Sequence, residues 1–353
     1  MLISDQAAPS LAQLRPLKQL RTDTFPVYQH LADKLRSGTR HPDDTVAHVL
    51  AVAAGYAYAR ADTVATMMAR MGLEDNGCRM IQELVDAMFI CSTSFLVQSA
   101  DGKVVLLAYR GTEPSNLVNW LTDADLYPEK VVIPATPASQ PLEVHEGFYR
   151  NVRATRYEVV AALERALRGE PVGDFATQPP GAMEALYITG HSLGGAMAAL
   201  MAVMLVTDPA YETLGEKLRA VYTFGQPMIG SHGLARVAGE LLAGRAFRYV
   251  YCNDAVPHLP PRVSGDFAHF GAEYRFAGRR PWVAQVPPAA QMGGVAGVVG
   301  TMAEFAATKV QAFRSIPFRF SLDDHMPNRY ITALTPPGTP TEFGDDGSFA
   351  GGG

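Results

Sequence analysis

The chain has 353 residues, a net charge of −5 and 48% hydrophobic residues, which describes a globular protein with a sizeable core. The negative charge gives no electrostatic reason to expect a nucleic-acid partner. The three cysteines, Cys78, Cys91 and Cys252, are odd in number and form no C-x-x-C pair. We therefore predict neither a disulfide framework nor a zinc site.

The N-terminal residues show no basic start followed by an apolar segment, so we predict no secretory signal. Nor does any run approach the roughly 18 apolar residues of a transmembrane helix. With the cysteine content, these features predict a cytoplasmic location, and secretion by a signal-independent route stays open. Residues 1–43 are predicted to form an irregular lead with one short helix over 27–36, and the domain is predicted to span 44–335. Residues 336–353, rich in Pro, Gly, Thr and Asp, are predicted to be disordered.

Strands and helices are predicted to alternate through the domain, which is typical of a mostly parallel sheet covered by helices on both faces. The apolar spacing predicts helices over 45–71, 147–168, 196–206 and 234–242, and a helix-like stretch over 289–313. Strands are predicted over 94–98, 103–109, 186–188, 220–224, 247–252 and 267–276, whereas 81–89 fits a helix or a strand. Asp43 or Asp44 is the expected N-cap of the first domain helix. Asp101-Gly102 predicts a type I′ hairpin turn.

A G-x-S-x-G sequence, Gly190 to Gly194, lies between the predicted strand 186–188 and the predicted helix 196–206. This strand, turn and helix context is typical of a nucleophile elbow, in which a strained turn projects the serine hydroxyl above the sheet. A β-carbon at Gly190 or Gly194 would collide with the neighbouring strand or helix. Ser192 is therefore the predicted nucleophile; the alternative is a glycine-rich turn with an incidental serine.

A serine nucleophile needs a base, and the base needs an acid that orients it. Asp254 directly follows the predicted strand 247–252, so it is expected at the same sheet edge as Ser192. His325 comes last among the histidines and precedes a predicted final helix, so it is the predicted base. Asp323 or Asp324 as the acid, and His258 or His269 as the base, stay open as alternatives.

Two N–H donors are needed to stabilise an oxyanion. The N–H of Leu193, the residue after the nucleophile, is the first candidate. The second is expected from the loop after an earlier strand, and Arg110-Gly111-Thr112 fits because Gly111 permits close approach. An ordinary strand-end turn is the alternative interpretation.

Seven segments together resemble the class 3, filamentous-fungal type of triacylglycerol lipases, in the family order and over roughly 50–335. They are AYRGTEPSNLVNWLTDADL (108–126), VHEGFYRNV (144–152), YITGHSLGGAMAAL (187–200), YTFGQPMIG (222–230), YCNDAVPHLPP (251–261), HFGAEYRF (269–276) and DHMPNRYITAL (324–334).

The resemblance implies an α/β-hydrolase fold and a specific set of site residues. It implies Ser192, Asp254 and His325 as a catalytic triad, with Thr112 and Leu193 as oxyanion donors. Asp123 resembles the aspartate that steadies the oxyanion hydroxyl. The segment 117–125 resembles a lid helix, whose apolar face would carry Leu117, Trp120 and Leu121.

The implied function is hydrolysis of lipid esters through an acyl-enzyme at a transient lipid–water interface, without a metal or other cofactor. Phospholipids and soluble short-chain or aromatic esters are alternative substrates. A non-catalytic lipid-binding protein on the same fold is the alternative from a different class, and the complete Ser, Asp and His set argues against it. The sequence does not determine the oligomeric state.

Overall fold

The computed structural model describes residues 25–38, 41–85, 90–111, 128–131, 142–173, 181–260, 262, 265–285, 321 and 323–339. The predicted helix-like stretch 289–313 and residues 340–353 of the predicted tail 336–353 lie outside these residues. The helices are α1 (Leu31–Ser37), α2 (Asp44–Tyr56), α3 (Ala61–Met71), α4 (Glu146–Leu167), α5 (Leu193–Thr207), α6 (Glu212–Lys217), α7 (His232–Leu241) and α8 (Pro327–Leu334). The strands are β1 (Gly77–Val85), β2 (Ile90–Gln98), β3 (Val104–Tyr109), β4 (Pro128–Val131), β5 (Leu142–His145), β6 (Ala185–His191), β7 (Leu218–Phe224), β8 (Gly230–Ser231), β9 (Ala246–Tyr251), β10 (Phe267–Ala268), β11 (Ala272–Phe276) and β12 (Val283–Gln285).

A central sheet of eight strands has the order β1-β2-β3-β6-β7-β9-β11-β12. Strands β3, β6, β7, β9 and β11 pair in parallel, and the outer pairings β1-β2, β2-β3 and β11-β12 are antiparallel. A second, small sheet has the order β10-β8-β5-β4. The predicted mostly parallel sheet with helices on both faces is confirmed.

The central strands are apolar throughout because both faces of the sheet are covered. In β3, Val104, Leu106 and Ala108 join the core formed with α1, α2, α3 and α8. Their neighbours Val105 and Leu107, together with Tyr109, join the core formed with α4, α5 and α7. Each face of one strand therefore contributes to a different hydrophobic core, as the alternation of side chains in a strand requires.

Helix α5 is the most buried helix of the fold, since all of its residues except Met204 and Val206 are buried. A helix that is apolar all round lies within a core, and α5 packs directly against the strand that precedes it. In the described part of the chain no single helix is long and apolar enough to cross a membrane. Only the bent pair Leu193–Thr207 and Pro209–Lys217 passes that test, on length and composition.

The predicted helix 45–71 is two helices, α2 and α3, separated by residues 57–60. Asp43 is the N-cap of α2, because its side chain accepts a hydrogen bond from the Val46 N–H at 3.0 Å. Within the predicted lead 1–43, helix α1 packs Leu31 and Leu35 into the core, and the Tyr187 hydroxyl donates to the Leu35 carbonyl at 2.9 Å. The three cysteines carry free thiols.

The type I′ turn predicted at Asp101-Gly102 is wrong, although the hairpin of β2 and β3 is present. A type I′ turn needs positive φ at both central residues, whereas only Gly102, with φ 75°, has it. The Asp101 carboxylate accepts from the Ser99 hydroxyl at 2.5 Å and from the Lys103 N–H at 3.1 Å. These side-chain bonds stabilise a wider loop over 99–103.

Two other predictions changed in detail. The range 267–276 is two strands in different sheets, β10 and β11, joined through Gly271 with φ 79°. The ambiguous range 81–89 is strand in its described part, because β1 extends over Gly77–Val85.

Three buried histidines make the stability of the fold depend on pH. Burial lowers the pKa of His48 to about 3 and that of His145 to about 4. Burial also lowers the pKa of His191, and the nearby imidazole of His325 lowers it further. Histidine in an unfolded chain titrates near about 6.5, so the unfolded state binds protons first as the pH falls.

We therefore expect the free energy of unfolding to be highest above about pH 6.5 and to fall as the pH decreases to about 5, by about 2 kcal/mol for each of His48 and His145, with a further loss from His191. Urea denaturation at the two pH limits measures the loss. A His48→Gln variant removes one titrating group, so its loss should be smaller by about 2 kcal/mol. An equal loss in both proteins would contradict the assignment.

Candidate active site

Ser192 lies between the end of β6 and the first residue of α5, with φ 60° and ψ −130°. This conformation is strained for a residue with a β-carbon and persists only where the surroundings enforce it. The Ser192 N–H donates to the Phe224 carbonyl of β7 at 2.9 Å, which anchors the turn to the sheet. The predicted turn between strand and helix is confirmed in its geometry.

The two glycines of the G-x-S-x-G sequence are needed because the turn brings backbones into contact. A β-carbon at Gly190 would lie 2.2 Å from the Gly194 carbonyl oxygen. One at Gly194 would lie 2.2 Å from the Tyr109 carbonyl oxygen at the end of β3. Helix and strands approach one another so closely that no side chain fits at either position.

Asp254 and His325 form a buried pair at the same edge of the sheet. The His325 Nδ1 lies 2.8 Å from Oδ2 and 3.0 Å from Oδ1 of Asp254. The His325 side chain is 4% exposed and the Asp254 side chain is 0% exposed. Asp254 follows β9, and His325 precedes α8, so tertiary folding joins residues that are 71 positions apart.

The Asp254 carboxylate receives two further hydrogen bonds. The Val256 N–H donates to Oδ1 at 2.9 Å, and the Tyr330 hydroxyl of α8 donates to Oδ2 at 2.5 Å. Burial first, and the Asp254 charge second, raise the pKa of Tyr330 well above its usual value, so the hydroxyl keeps its proton. Asp254 is thus held by three donors in a site without solvent.

Gly225, in the predicted turn after β7, lies directly against this pair. A β-carbon there would be 2.7 Å from Asp254 Oδ2 and 2.8 Å from His325 Nδ1. Its φ of 59° also favours glycine. The absence of a side chain leaves room for the imidazole and the carboxylate to meet.

Among the buried polar atoms without a hydrogen-bond partner in the described residues, two belong to this site: Ser192 Oγ and His325 Nε2. The Nδ1 proton of His325 is directed to Asp254, so Nε2 of the neutral ring carries a free lone pair. A hydroxyl and a basic nitrogen in one buried site are the groups that nucleophilic catalysis with a general base requires.

The loop after β3 approaches the elbow from the other side. A β-carbon at Gly111 would lie 2.5 Å from the His191 carbonyl oxygen and 3.3 Å from Ser192 Cβ. Leu193 is the first residue of α5, so its N–H has no acceptor within the helix. These two backbones therefore border the serine; the assignment of Leu193 and Thr112 as oxyanion donors stays a prediction. Thr112, Asp123 and the predicted lid residues Leu117, Trp120 and Leu121 lie outside the described residues.

The alternative acids and bases have other partners. Asp324 Oδ2 accepts from the Asn253 N–H at 3.0 Å, and burial raises its pKa. The His269 Nε2 lies 2.7 Å from the Pro257 carbonyl oxygen, which identifies it as a donor there. His258 ends the short 3₁₀ helix that follows Asp254. The described contacts bring Asp254, and neither Asp323 nor Asp324, to Nδ1 of His325.

Nothing in the sequence indicates that Tyr330 belongs to the site. In α8 it is one buried aromatic residue among apolar positions, which is the ordinary pattern of core packing. Its packing against Phe224 and Tyr251 is consistent with that pattern. Only the folded chain brings its hydroxyl to the carboxylate.

Comparison with known proteins shows similarity to one family of lipases. The model of the lipase (class 3) family matches residues 106–264. A lipase of Rhizomucor miehei is 33% identical over 199 residues, covering 56% of this chain and 48% of the relative. Triacylglycerol lipase OBL1 of Ricinus communis is 29% identical over 211 residues, covering 50% of this chain and 39% of the relative. The chain thus spans less than half the length of these curated relatives.

Solved structures support the fold. The lipase of Rhizopus microsporus var. chinensis superposes with a TM-score of 0.53 at 22% identity, over 80% of this chain and 84% of that one. A structure described as a triacylglycerol lipase with a serine protease triad gives a TM-score of 0.53 at 23% identity, over 80% of this chain and 91% of that one. At these identities the likeness concerns the fold alone.

The predicted cytoplasmic location is wrong. The relative named secreted mono- and diacylglycerol lipase 2, from Gibberella zeae, is 30% identical over 198 residues, which cover 50% of this chain and 44% of the relative. The prediction failed because the N-terminal residues and a small number of thiols are indirect signs of a compartment. The family model matches the strands that carry the site, and the fold is shared with solved lipases: over residues 106–264 this chain is similar to the class 3 lipases, and it has the lipase fold.

Proposed function

We propose that this protein is a serine hydrolase that cleaves carboxylic ester bonds of acylglycerols through an acyl-enzyme. The observation that carries the proposal is the buried Asp254–His325 pair beside the strained Ser192 turn: the Ser192 N–H binds the Phe224 carbonyl, and the next residue, Gly225, lies against both members of the pair. The match to the lipase (class 3) family model supports the ester substrate. The non-catalytic alternative is weaker, because a protein that only binds lipid has no need of a strained serine beside an oriented imidazole.

In the proposed reaction, Ser192 Oγ attacks the ester carbonyl carbon while His325 Nε2 accepts the hydroxyl proton. The tetrahedral intermediate collapses to the acyl-enzyme, and His325 returns the proton to the leaving alcohol. Water then attacks the acyl-enzyme by the same route and releases the fatty acid. Asp254 holds the imidazole and stabilises its charged form, and the donors of Tyr330 and Val256 hold Asp254.

The oxyanion is proposed to bind between the loop after β3 and the start of α5. The N–H of Leu193 and the N–H and hydroxyl of Thr112 are the proposed donors, with Asp123 supporting the Thr112 hydroxyl. The amino end of α5 adds a positive partial charge at the same place. Losing one such donor costs roughly 2.7–4 kcal/mol of transition-state stabilisation in serine hydrolases.

Triacylglycerol is the proposed substrate, because two of the relatives, from Ricinus communis and Arabidopsis thaliana, are named triacylglycerol lipases. Phospholipids and soluble short-chain or aromatic esters stay as alternatives. Activity measured on p-nitrophenyl esters of increasing chain length, on a triglyceride emulsion and on phosphatidylcholine distinguishes the three classes.

Replacement of the nucleophile is the direct test of the mechanism. We expect Ser192→Ala to lower kcat on a p-nitrophenyl ester by about 10⁴- to 10⁶-fold, because triad members act as a unit. Ser94→Ala is the matched control, since Ser94 is also a fully buried serine on the sheet, and it should keep wild-type kcat. A Ser192→Ala protein with more than about a tenth of wild-type turnover would require another nucleophile.

Removal of the Tyr330 hydroxyl tests the support of Asp254. We expect Tyr330→Phe to lower kcat about tenfold, and to cost about 1–3 kcal/mol of stability because the carboxylate loses a buried donor. Tyr222→Phe is the control: it deletes another buried hydroxyl, which accepts from the Asp43 N–H at 3.2 Å, away from Asp254. Equal kcat for the two variants would contradict a role for Tyr330 in the reaction.

The lid is predicted from the spacing of Leu117, Trp120 and Leu121, because residues at i, i+3 and i+4 share one face of a short helix. A lipid surface would stabilise only the conformation in which this face leaves the cleft, and each buried side chain contributes about 1.5–3 kcal/mol. We expect triglyceride hydrolysis to rise sharply as the substrate passes its solubility limit.

Trp120→Ser should weaken that rise and leave hydrolysis of a soluble short-chain ester unchanged. Initial rates on both sides of the solubility limit measure the effect. A smooth saturation curve, with both substrates impaired alike in Trp120→Ser, would favour a soluble esterase without a lid.

A further inference from the structure

His191, the residue before the nucleophile, connects two parts of the site. It is 2% exposed, and its Nε2 lies 2.6 Å from the His325 carbonyl oxygen. Its Nδ1 lies 3.0 Å from the Tyr58 hydroxyl. Its ring also contacts the His325 ring, with centroids 4.5 Å apart. The strained turn thus directs Ser192 into the site and His191 onto the backbone of the base.

The partners determine which nitrogen of His191 carries the proton. A carbonyl oxygen only accepts, so Nε2 must donate to His325. Burial first, and the nearby His325 second, lower the pKa of His191, which keeps the ring neutral. Nδ1 is therefore the acceptor, and the Tyr58 hydroxyl donates to it. Without that hydroxyl, Nδ1 loses its donor and the ring keeps only the bond to His325, so its position is less firmly fixed.

Tyr58 also touches the side of the site opposite His325. It lies in the turn between α2 and α3, 2% exposed. A β-carbon on Gly111 would lie 2.3 Å from its hydroxyl oxygen. The same hydroxyl therefore borders the loop that carries the proposed oxyanion donors and holds the histidine that binds the backbone of the base.

We propose that Tyr58 and His191 are positioning residues that set the relation between the oxyanion loop at Gly111 and the general base His325. The proposal rests on the proposed ester hydrolysis, since it names two residues that act through His325. Tyr58 donates to His191, and His191 donates to the His325 carbonyl. These two bonds keep Nε2 of His325 directed toward Ser192 while the ring gains and loses a proton during the reaction.

Kinetics of four variants test this arrangement. Tyr58→Phe and His191→Leu should each lower kcat about 10- to 100-fold with KM within about twofold, since misplacement of a reacting group by about 1 Å has effects of that size. His191→Gln places an amide donor near the position of Nε2 and should recover much of the kcat lost in His191→Leu. Tyr187→Phe, which deletes a buried hydroxyl bonded to Leu35, should keep wild-type kcat.

The double variant Tyr58→Phe/His191→Leu should be no slower than His191→Leu alone, because Tyr58 acts through His191. The inference is overturned if Tyr58→Phe matches Tyr187→Phe in kcat, or if His191→Gln is as slow as His191→Leu. Additive losses in the double variant would also overturn it, since they assign Tyr58 a separate role.

A second measurement does not need an active enzyme. Imidazole nitrogen NMR of the wild-type protein should find His191 neutral with its proton on Nε2, and Tyr58→Phe should keep this tautomer but shift the Nδ1 resonance, since Nδ1 loses its donor. An inactive wild-type protein with this tautomer pattern refutes the proposed function and leaves the hydrogen-bond chain intact. A wild-type His191 protonated on Nδ1 refutes the chain itself, whatever the activity.

Discussion

The buried carboxylate of Asp254 is the constraint on which the site depends. An ionised carboxylate in a place without solvent is expensive unless it is fully hydrogen-bonded. Here the three donors come from the Val256 backbone, the His325 ring and the Tyr330 hydroxyl. Two of these donors, His325 and Tyr330, belong to the last described segment of the chain. Their hydrogen bonds to Asp254 therefore hold residues 323–334 against the end of β9. The same bonds that stabilise the anion also orient the imidazole.

Parallel strands explain why the other groups meet at this point. The ends of β3, β6, β7 and β9 lie at one edge of the sheet, and the functional side chains follow those ends. Residues at the carboxyl ends of parallel strands converge in this way in α/β proteins generally. Ser192, Gly111 and Asp254 are thus neighbours because each directly follows, or nearly follows, a central strand.

The site also holds features that reduce stability. Ser192 keeps a positive φ, and its hydroxyl and Nε2 of His325 are buried without a partner among the described residues. A buried polar group without a hydrogen bond costs about 1–3 kcal/mol. The apolar helix α5 and the contacts of Gly190 and Gly194 with neighbouring backbones hold the turn in place against that cost. Strain of this kind is typical of reactive sites, where a fully satisfied hydroxyl would be a poorer nucleophile.

Local pattern was enough to predict most of the elements and the strained turn that carries Ser192. The apolar runs of β3, β6, β7 and β9, the long helix α4 and the G-x-S-x-G turn all act through neighbours in the chain, and their physical rules are local. Asp254 and His325 were predicted from their order and from the strand that precedes the acid. The family resemblance carried the same assignment, and the fold is the one it implied.

Only the tertiary structure decided which acid meets which base and what holds them. Asp324 lies one residue from His325 in sequence, yet Asp254, 71 residues away, receives its Nδ1 proton. Tyr330, Tyr58 and His191 show the same limit, since a buried aromatic ring in a helix or turn has the sequence signature of core packing. The hydrogen-bond partner of a buried hydroxyl depends on which distant segments pack beside it, and only the folded chain determines that. The wider loop at Asp101-Gly102 arose likewise from side-chain bonds that the turn dipeptide does not encode.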